Sequence, residues 1–373
     1  MQVTGNNVTV YYKVVYHTPA GLQVAELDYL EFLNYAKGVG KPGWLTLRVP
    51  KDFIAWRDFY QLDAQVEVLR RVEGFNWYTE MGTRWLMRRF DKISDHGAVS
   101  FECAGQSAYG LVGRRIVAYN AGSAQADQTD QADDMMKTII KQNLGSSATG
   151  TGRDLSAYLA VAADTAAGPS VQKSFSRRQC DVVIDELIMG SDQAGTVVYP
   201  DVIWNGAKFE FKTYPNQRGT DRTSGTSQVV FAEQFDNLSN VRLRYDHTNE
   251  VTDVYAGGQG DGSARDVQEA QDLGRMDNSP FNRIERFVNA SHCTTSAQVL
   301  DEAEAALQAG LPVISLTGII KQTPACIYGK DWGLGDKVIA RADDIDFNAW
   351  IDPVDVTVSP EGETIRADIY AVQ

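Results

Sequence analysis

The residues of this sequence best placed to do chemistry are Asp201, Glu210 and Lys212. Pro200 and Asp201 followed by Glu210, Phe211 and Lys212 match the PD…ExK spacing of a class of metal-dependent nucleases, whose acids hold Mg²⁺ and whose lysine helps activate water. The same residues fit an amphipathic strand, because KFEFK alternates apolar and charged side chains and needs only a solvated charged face. The nuclease is therefore the alternative reading, and no catalytic residue is assigned. A second oxygen-rich run, Asp344, Asp346, Asn348, Asp352 and Asp355, has the ligand spacing of a calcium loop. It departs twice from that loop: Ala349 replaces the turn glycine, and Asp355 stands where a bidentate glutamate is needed, with Pro353 inside. A solvated acidic loop is expected there. Gly257, Gly258, Gly260 and Gly262 fit neither the dinucleotide fingerprint nor the P-loop, so no cofactor is expected. His17, His96, His247 and His292 are scattered singly. Cys103, Cys180, Cys293 and Cys326 show no CxxC pair and no histidine at metal spacing, so four reduced, structural cysteines and no metal are expected.

The elements that must position these groups follow from periodicity. Residues 196–214 read as a hairpin about Asn205 and Gly206, for which a type I′ turn is expected. The polar stretch Pro215 to Ser227 reads as an exposed, mobile loop. Ala132, Met135, Met136, Ile139, Ile140 and Leu144 recur at helical spacing, predicting a helix near 130–144. Thr129 or Asp130 is placed to cap it, and Lys137 and Lys141 suit its C-terminal half. A second helix is expected near 176–189 with Gly190 as its stop, and a third near 296–309, opened by a Thr295/Gln298 capping box and ended by Gly310. Strands are expected at Val8 to Val14, Trp44 to Val49, Ala64 to Arg70 and Val99 to Cys103, and again at Ile314 to Ile320, Lys337 to Arg341, Val354 to Val358 and Ile365 to Tyr370. The alternation of Val241, Leu243 and Tyr245 with Arg242, Arg244 and Asp246, a polar turn at His247 to Glu250 and a new run from Val251 predict an antiparallel strand pair.

Composition bounds what such a chain does. At 373 residues it has material for two or three domains. Its 35 Lys and Arg against 49 Asp and Glu give a net charge of −14, which opposes non-specific binding to nucleic acid or anionic membranes. Neither a membrane segment nor a signal peptide is visible. Trp77, Trp85, Met87 and Phe90 lie among Arg84, Arg88 and Arg89, which reads as a strand with an apolar inner face and a solvated arginine face. Exposed aromatics such as Tyr214, Trp332 and Trp350 leave a receptor- or carbohydrate-binding β-module as a further alternative.

Several segments in order carry a resemblance: VEVLRR, GLVGRRIV, ADDMMKTIIKQNLG, FEFKTY followed by RGTDR, FDNLSNVRLRYDHTNEVTDVYAGGQG, RIERFVNASHCTT and YGKDWGLGDKVIARA. Together they resemble the tail hub proteins of long-tailed, siphovirus-type phages, also called baseplate hub, minor tail or tail-tip proteins. The resemblance implies an α+β, mainly β chain, with two tube-like β-barrel domains and peripheral helical and hairpin insertions. The first barrel domain would span 1–118, a peripheral α+β module 119–235, and the second β domain 236–373. It further implies a homotrimeric, pseudo-sixfold ring in the virion, at the distal tail tip. Distal tail or tail-tube proteins would lie above it and tail-tip, fibre or tape-measure proteins below, and genome DNA would pass through without specific binding. No enzymatic role, no C-terminal lysozyme or peptidase domain and no cofactor are expected.

Overall fold

Val8, Val10, Tyr12 and Val14 turn one face of the strand Val8–His17 inward, and the same alternation organises the strands around it. The computed structural model describes residues 1–5, 8–118, 126–175, 177–320, 323–342 and 345–371. The chain divides into two compact units, Met1–Val241 with Thr317–Val372, and Arg242–Leu316.

In the larger unit one hydrogen-bonded path runs through Gln2–Gly5, Val8–His17, Gln65–Val72, Trp85–Asp95, Ala98–Ser107, Trp44–Pro50, Phe32–Lys37, Ile345–Ser359 and Gly362–Ala371. Every pair along it is antiparallel. Large sheets twist and coil, and this one curls back on itself. A Cβ added at Gly5 would stand 3.1 Å from Glu363 Cβ, and one at Gly362 would stand 2.9 Å from the Thr4 carbonyl oxygen. The C-terminal strands thereby complete a surface begun by the N-terminal ones. Val313–Ile320 and Leu238–Asp246 continue the path. The fold is α+β and mainly β.

A second core in the same unit packs the helices Ala132–Asn143 and Cys180–Gln193 with the hairpin strands Val198–Trp204 and Phe209–Pro215. Met135, Met136, Ile139 and Ile140 are fully buried there, so the methionine stripe is core. The first helix has Gln131 as its N-cap without a side-chain cap bond, while Thr129 and Asp130 belong to the strand Ala126–Gln131. Asp133 and Asp134 bind instead to the backbone of the facing loop, accepting from the amides of Ala167 and Thr165. Lys137 is not at a solvated end but buried, 2.8 Å from Asp133. The second helix begins at Cys180 rather than Ser176, which lies outside the described residues, and runs through Gly190 to Gln193. Gly190 has open space around it, and the left-handed stop is Gly195, at φ +87°.

The smaller unit is a three-stranded sheet, Val267–Gln271, Asp253–Gly257 and Glu285–Asn289, covered on one face by the helix Ser296–Ala309. That helix matches its expected bounds. Thr295 Oγ1 accepts from the Gln298 amide, and Gln298 Oε1 answers at the Thr294 amide, one residue earlier than a standard capping box. The expected pairing of Val241–Tyr245 with the run from Val251 does not form. Leu238–Asp246 neighbours Val313–Ile320, and Asp253–Gly257 pairs with Val267–Gln271 and Glu285–Asn289. Alternation identified the strands but not their partners. No helix among the described residues is long and apolar enough to cross a membrane.

Candidate functional site

The hairpin register places Asp201 opposite Lys212 and Ile203 opposite Glu210, so the three sequence-selected residues share one face. Phe209, Phe211 and Val202 take the other face into the helical core. The connection is a four-residue loop, not the expected two-residue type I′ turn. Only Gly206 has positive φ, at +94°, and Asn205 closes the loop by accepting from the Ala207 and Lys208 amides.

Sharing a face has not given the three residues one environment. Asp201 is buried, whereas the Lys212 and Glu210 side chains remain 39% and 21% exposed and stand 3.8 Å apart. Both Asp201 carboxylate oxygens lie 2.6 Å from Lys37 Nζ, and Oδ2 also accepts from Arg218 Nε at 2.7 Å. Burial alone would raise the Asp201 pKa, but the charges of Lys37 and Arg218 outweigh it and hold the carboxyl below its usual range. Burial pulls the Lys37 ammonium down to about 8 against the opposing pull of Asp201. A carboxylate so engaged has its lone pairs committed to fixed cations.

Arg218 extends the cluster. Its other nitrogens donate to the carbonyls of Leu334 and Met81, at 3.3 and 3.1 Å. The stretch Pro215 to Ser227, expected as a free loop, is therefore tied down at its beginning. Gly219 N donates to the Gly335 carbonyl, Thr220 N to Asp336 Oδ1, and Arg222 Nε to Asp336 Oδ2 at 2.6 Å. Two of the resemblance segments, RGTDR and YGKDWGLGDK, are thus hydrogen-bonded to each other.

A second buried polar cluster lies inside the curled sheet. Arg70 is fully buried and donates through Nε and Nη2 to the two oxygens of Glu363, at 2.8 and 3.0 Å. Its Nη1 donates to Tyr78 Oη and the Tyr328 carbonyl. Tyr12 donates to Glu363, and Tyr328 to Glu80 at 2.9 Å. Burial raises the Glu80 pKa, with Arg70 opposing. Trp332, expected at the surface, is buried edge-on against Phe231, while Tyr214 and Trp350 are half-buried.

The remaining sequence candidates go elsewhere. Asp346, Asn348, Asp352 and Asp355 lie on the continuous strand Ile345–Ser359 instead of an acidic loop, because that segment pairs with Gly362–Ala371 along one edge and with Lys337–Ala342 and then Phe32–Lys37 along the other. Asp346 is paired with Arg341, and Asp344 lies outside the described residues. All four cysteines are free and buried. Sequence reasoning missed Lys37, Arg70, Arg218, Asp336 and Glu363. Arg70, Arg218 and Asp336 sit in quoted segments, but nothing local marks which charged residue turns inward.

The geometry is that of a scaffold whose charged groups bind one another. The family model described as Siphovirus ReqiPepy6 Gp37-like protein matches residues 61–369. Among solved structures, the chain is similar to the 43 kDa tail protein of prophage MuSo2 from Shewanella oneidensis, with TM-score 0.62, 10% identity and coverage of 96% of this chain and 98% of that one. It is also similar to the tail protein from Neisseria meningitidis MC58, with TM-score 0.58, 13% identity and 96% coverage of both chains. Prophage tail protein gp18 from Listeria monocytogenes EGD-e matches with TM-score 0.54, 12% identity and coverage of 95% and 94%. Among curated proteins none matches the sequence.

Proposed function

The chain belongs to the Siphovirus ReqiPepy6 Gp37-like protein family, and from that premise we propose that it is a non-enzymatic structural protein of a phage-like tail, the hub at the distal end of the tail tube. The observation that carries this reading is the near end-to-end likeness of fold to prophage tail proteins, which spans 96% of this chain. In the proposed hub three copies form a ring of pseudo-sixfold symmetry, each contributing two tube-like β domains. The ring joins the tube to the tip or fibre and forms part of the DNA conduit. The net charge of −14 supports a conduit role, since an acidic protein gives phosphate little to bind. The buried ion pairs support a structural role for the charged residues: Asp201 anchors Lys37 and Arg218 in place of a metal and substrate.

The test is the mass and symmetry of the purified chain, by light scattering and negative-stain imaging, alone and with its neighbouring tail proteins. A ring-shaped trimer, or a monomer that trimerises on the tube, is expected. A compact monomer indifferent to tail components overturns the reading.

A further inference from the structure

The smaller unit carries a side-chain cluster that a scaffold role does not use. His292, Cys293 and Glu302 each present one ligand atom, and the three atoms lie within 4.8 Å of one another, the one such His/Cys/carboxylate group among the described residues. Local structure assembles it. After the strand Glu285–Asn289 the chain turns, with the Cys293 amide donating to the Ala290 carbonyl at 2.9 Å. It then enters the helix Ser296–Ala309 through the Thr295 cap. This turn holds two consecutive residues, His292 and Cys293, against the helical turn that carries Glu302. His292 Nε2 stands 3.1 Å from Glu302 Oε1.

We propose that His292, Cys293 and Glu302 form a zinc(II)-type site that staples the 290–295 turn to the helix. Thiolate, imidazole and carboxylate are the donor set of zinc, whereas calcium and magnesium take oxygen ligands only. With roughly 2.3 Å to sulfur and roughly 2.0–2.2 Å to nitrogen and oxygen, tetrahedral zinc holds neighbouring ligand atoms about 3.5 Å apart. His292 Nε2 and Glu302 Oε1 stand 3.1 Å apart, and all three ligand atoms lie within 4.8 Å of one another. The His292 and Glu302 side chains are 69% and 41% exposed, so both can rotate onto an ion, while Cys293 is buried and fixes the position. Three protein ligands leave a fourth place for water.

The unit has reason to need such a staple. The buried cluster between its sheet and helix consists of Val251, Val254, Ala256, Ala270, Ala290, Cys293, Val299 and Ala303, mostly small side chains, with Leu300 and Leu307 only partly buried against them. Small cores of this kind commonly depend on a metal or a cross-link.

The probe is cobalt(II), added to the full-length chain and followed by absorption. Thiolate coordination gives a charge-transfer band, and tetrahedral geometry gives intense visible bands. One equivalent per chain should saturate both, and zinc(II) should displace them. Cys293→Ser should remove the thiolate band, and Cys326→Ser should leave it. His292→Ala, at an exposed side chain that leaves the fold intact, should weaken binding roughly tenfold or more. A wild-type chain that gives no thiolate band overturns the proposal, and so does a band that His292→Ala leaves at full affinity.

Discussion

Arg70 and Glu363, 293 residues apart in the chain, form a bidentate ion pair with neither side chain exposed. The pair joins Gln65–Val72, near the beginning of the sheet path, to Gly362–Ala371, where the path returns on itself. Desolvating two charges is costly, so such a pair adds little net stability over an apolar one of the same shape, but breaking it is expensive. The pair places Glu363, at the start of the last strand, against a strand from the other end of the chain.

That asymmetry is measurable. Arg70→Met strands the Glu363 carboxylate and should cost about 3–5 kcal/mol in urea unfolding. Arg70→Met combined with Glu363→Leu should recover most of the loss, because neither charge is then buried alone. A single substitution costing no more than a surface change would show that the pair does not hold the fold.

Asp201, Glu210 and Lys212 should behave as three unlike residues rather than as one site. Asp201→Asn removes the partner of two buried cations and should destabilise by about 3–5 kcal/mol. Glu210→Gln and Lys212→Ala act on a partly exposed pair and should each stay within about 0.5 kcal/mol. Wild-type protein with Mg²⁺ and DNA or RNA should show no cleavage above an Asp201→Ala control. Cleavage lost in all three variants would restore the nuclease.

The pH dependence should carry two opposite signatures. Asp201 is more acidic in the fold than in the unfolded chain, where its value is near 3.8. Its contribution is full above that value and is lost as pH falls through the folded-state pKa. Glu80 is shifted the other way, upward from 4.5 by burial, so its contribution is present at low pH and declines as pH rises through the folded-state pKa. Asp201→Asn should therefore blunt the acid loss of stability. Glu80→Gln should gain stability relative to wild type at pH 7 and not at pH 4. Denaturant midpoints across pH 3 to 8 decide both.

What was legible in the sequence was local. The helix Ser296–Ala309 was readable to the residue because its cap, apolar face and terminating glycine all lie within the segment. The strand positions were readable from alternation, and the hairpin from Asn205 and Gly206. The partners were not. Asp201 is 164 residues from Lys37, and nothing in VYPDVIW or AKG says which charge turns inward. The stretch after Pro215 has the composition of a free loop, yet its arginines reach carboxylates at Asp201 and Asp336. Leu238–Asp246 looked like half of a hairpin because the next alternating run follows within a few residues, but that run belongs to another sheet. The adjacency of His292 and Cys293 carried no metal signal in the sequence. Only the fold of the following helix brings Glu302 to them.

Two glycines separate composition from position. Gly190 lies inside the helix Cys180–Gln193 with nothing within 4 Å of where a Cβ would stand. Gly190→Ala should stabilise by about 0.4–1 kcal/mol, because alanine gives up less backbone freedom on folding and meets no obstacle. Gly219, in the RGTDR segment, would place a Cβ 2.3 Å from Asp336 Oδ1 and 2.5 Å from both Asp336 N and Gly335 C. Two of those atoms are backbone, so no rotamer change relieves the clash. The displaced loop would also pull Arg218 from Asp201 and Arg222 from Asp336. Gly219→Ala should cost about 1–3 kcal/mol by overpacking alone, and more where the ion pairs follow. Thermal melts of the two variants should move in opposite directions. A neutral Gly219→Ala would mean that the segment is not seated on Gly335 and Asp336, and the anchored-loop account of the Asp201 cluster would fall with it.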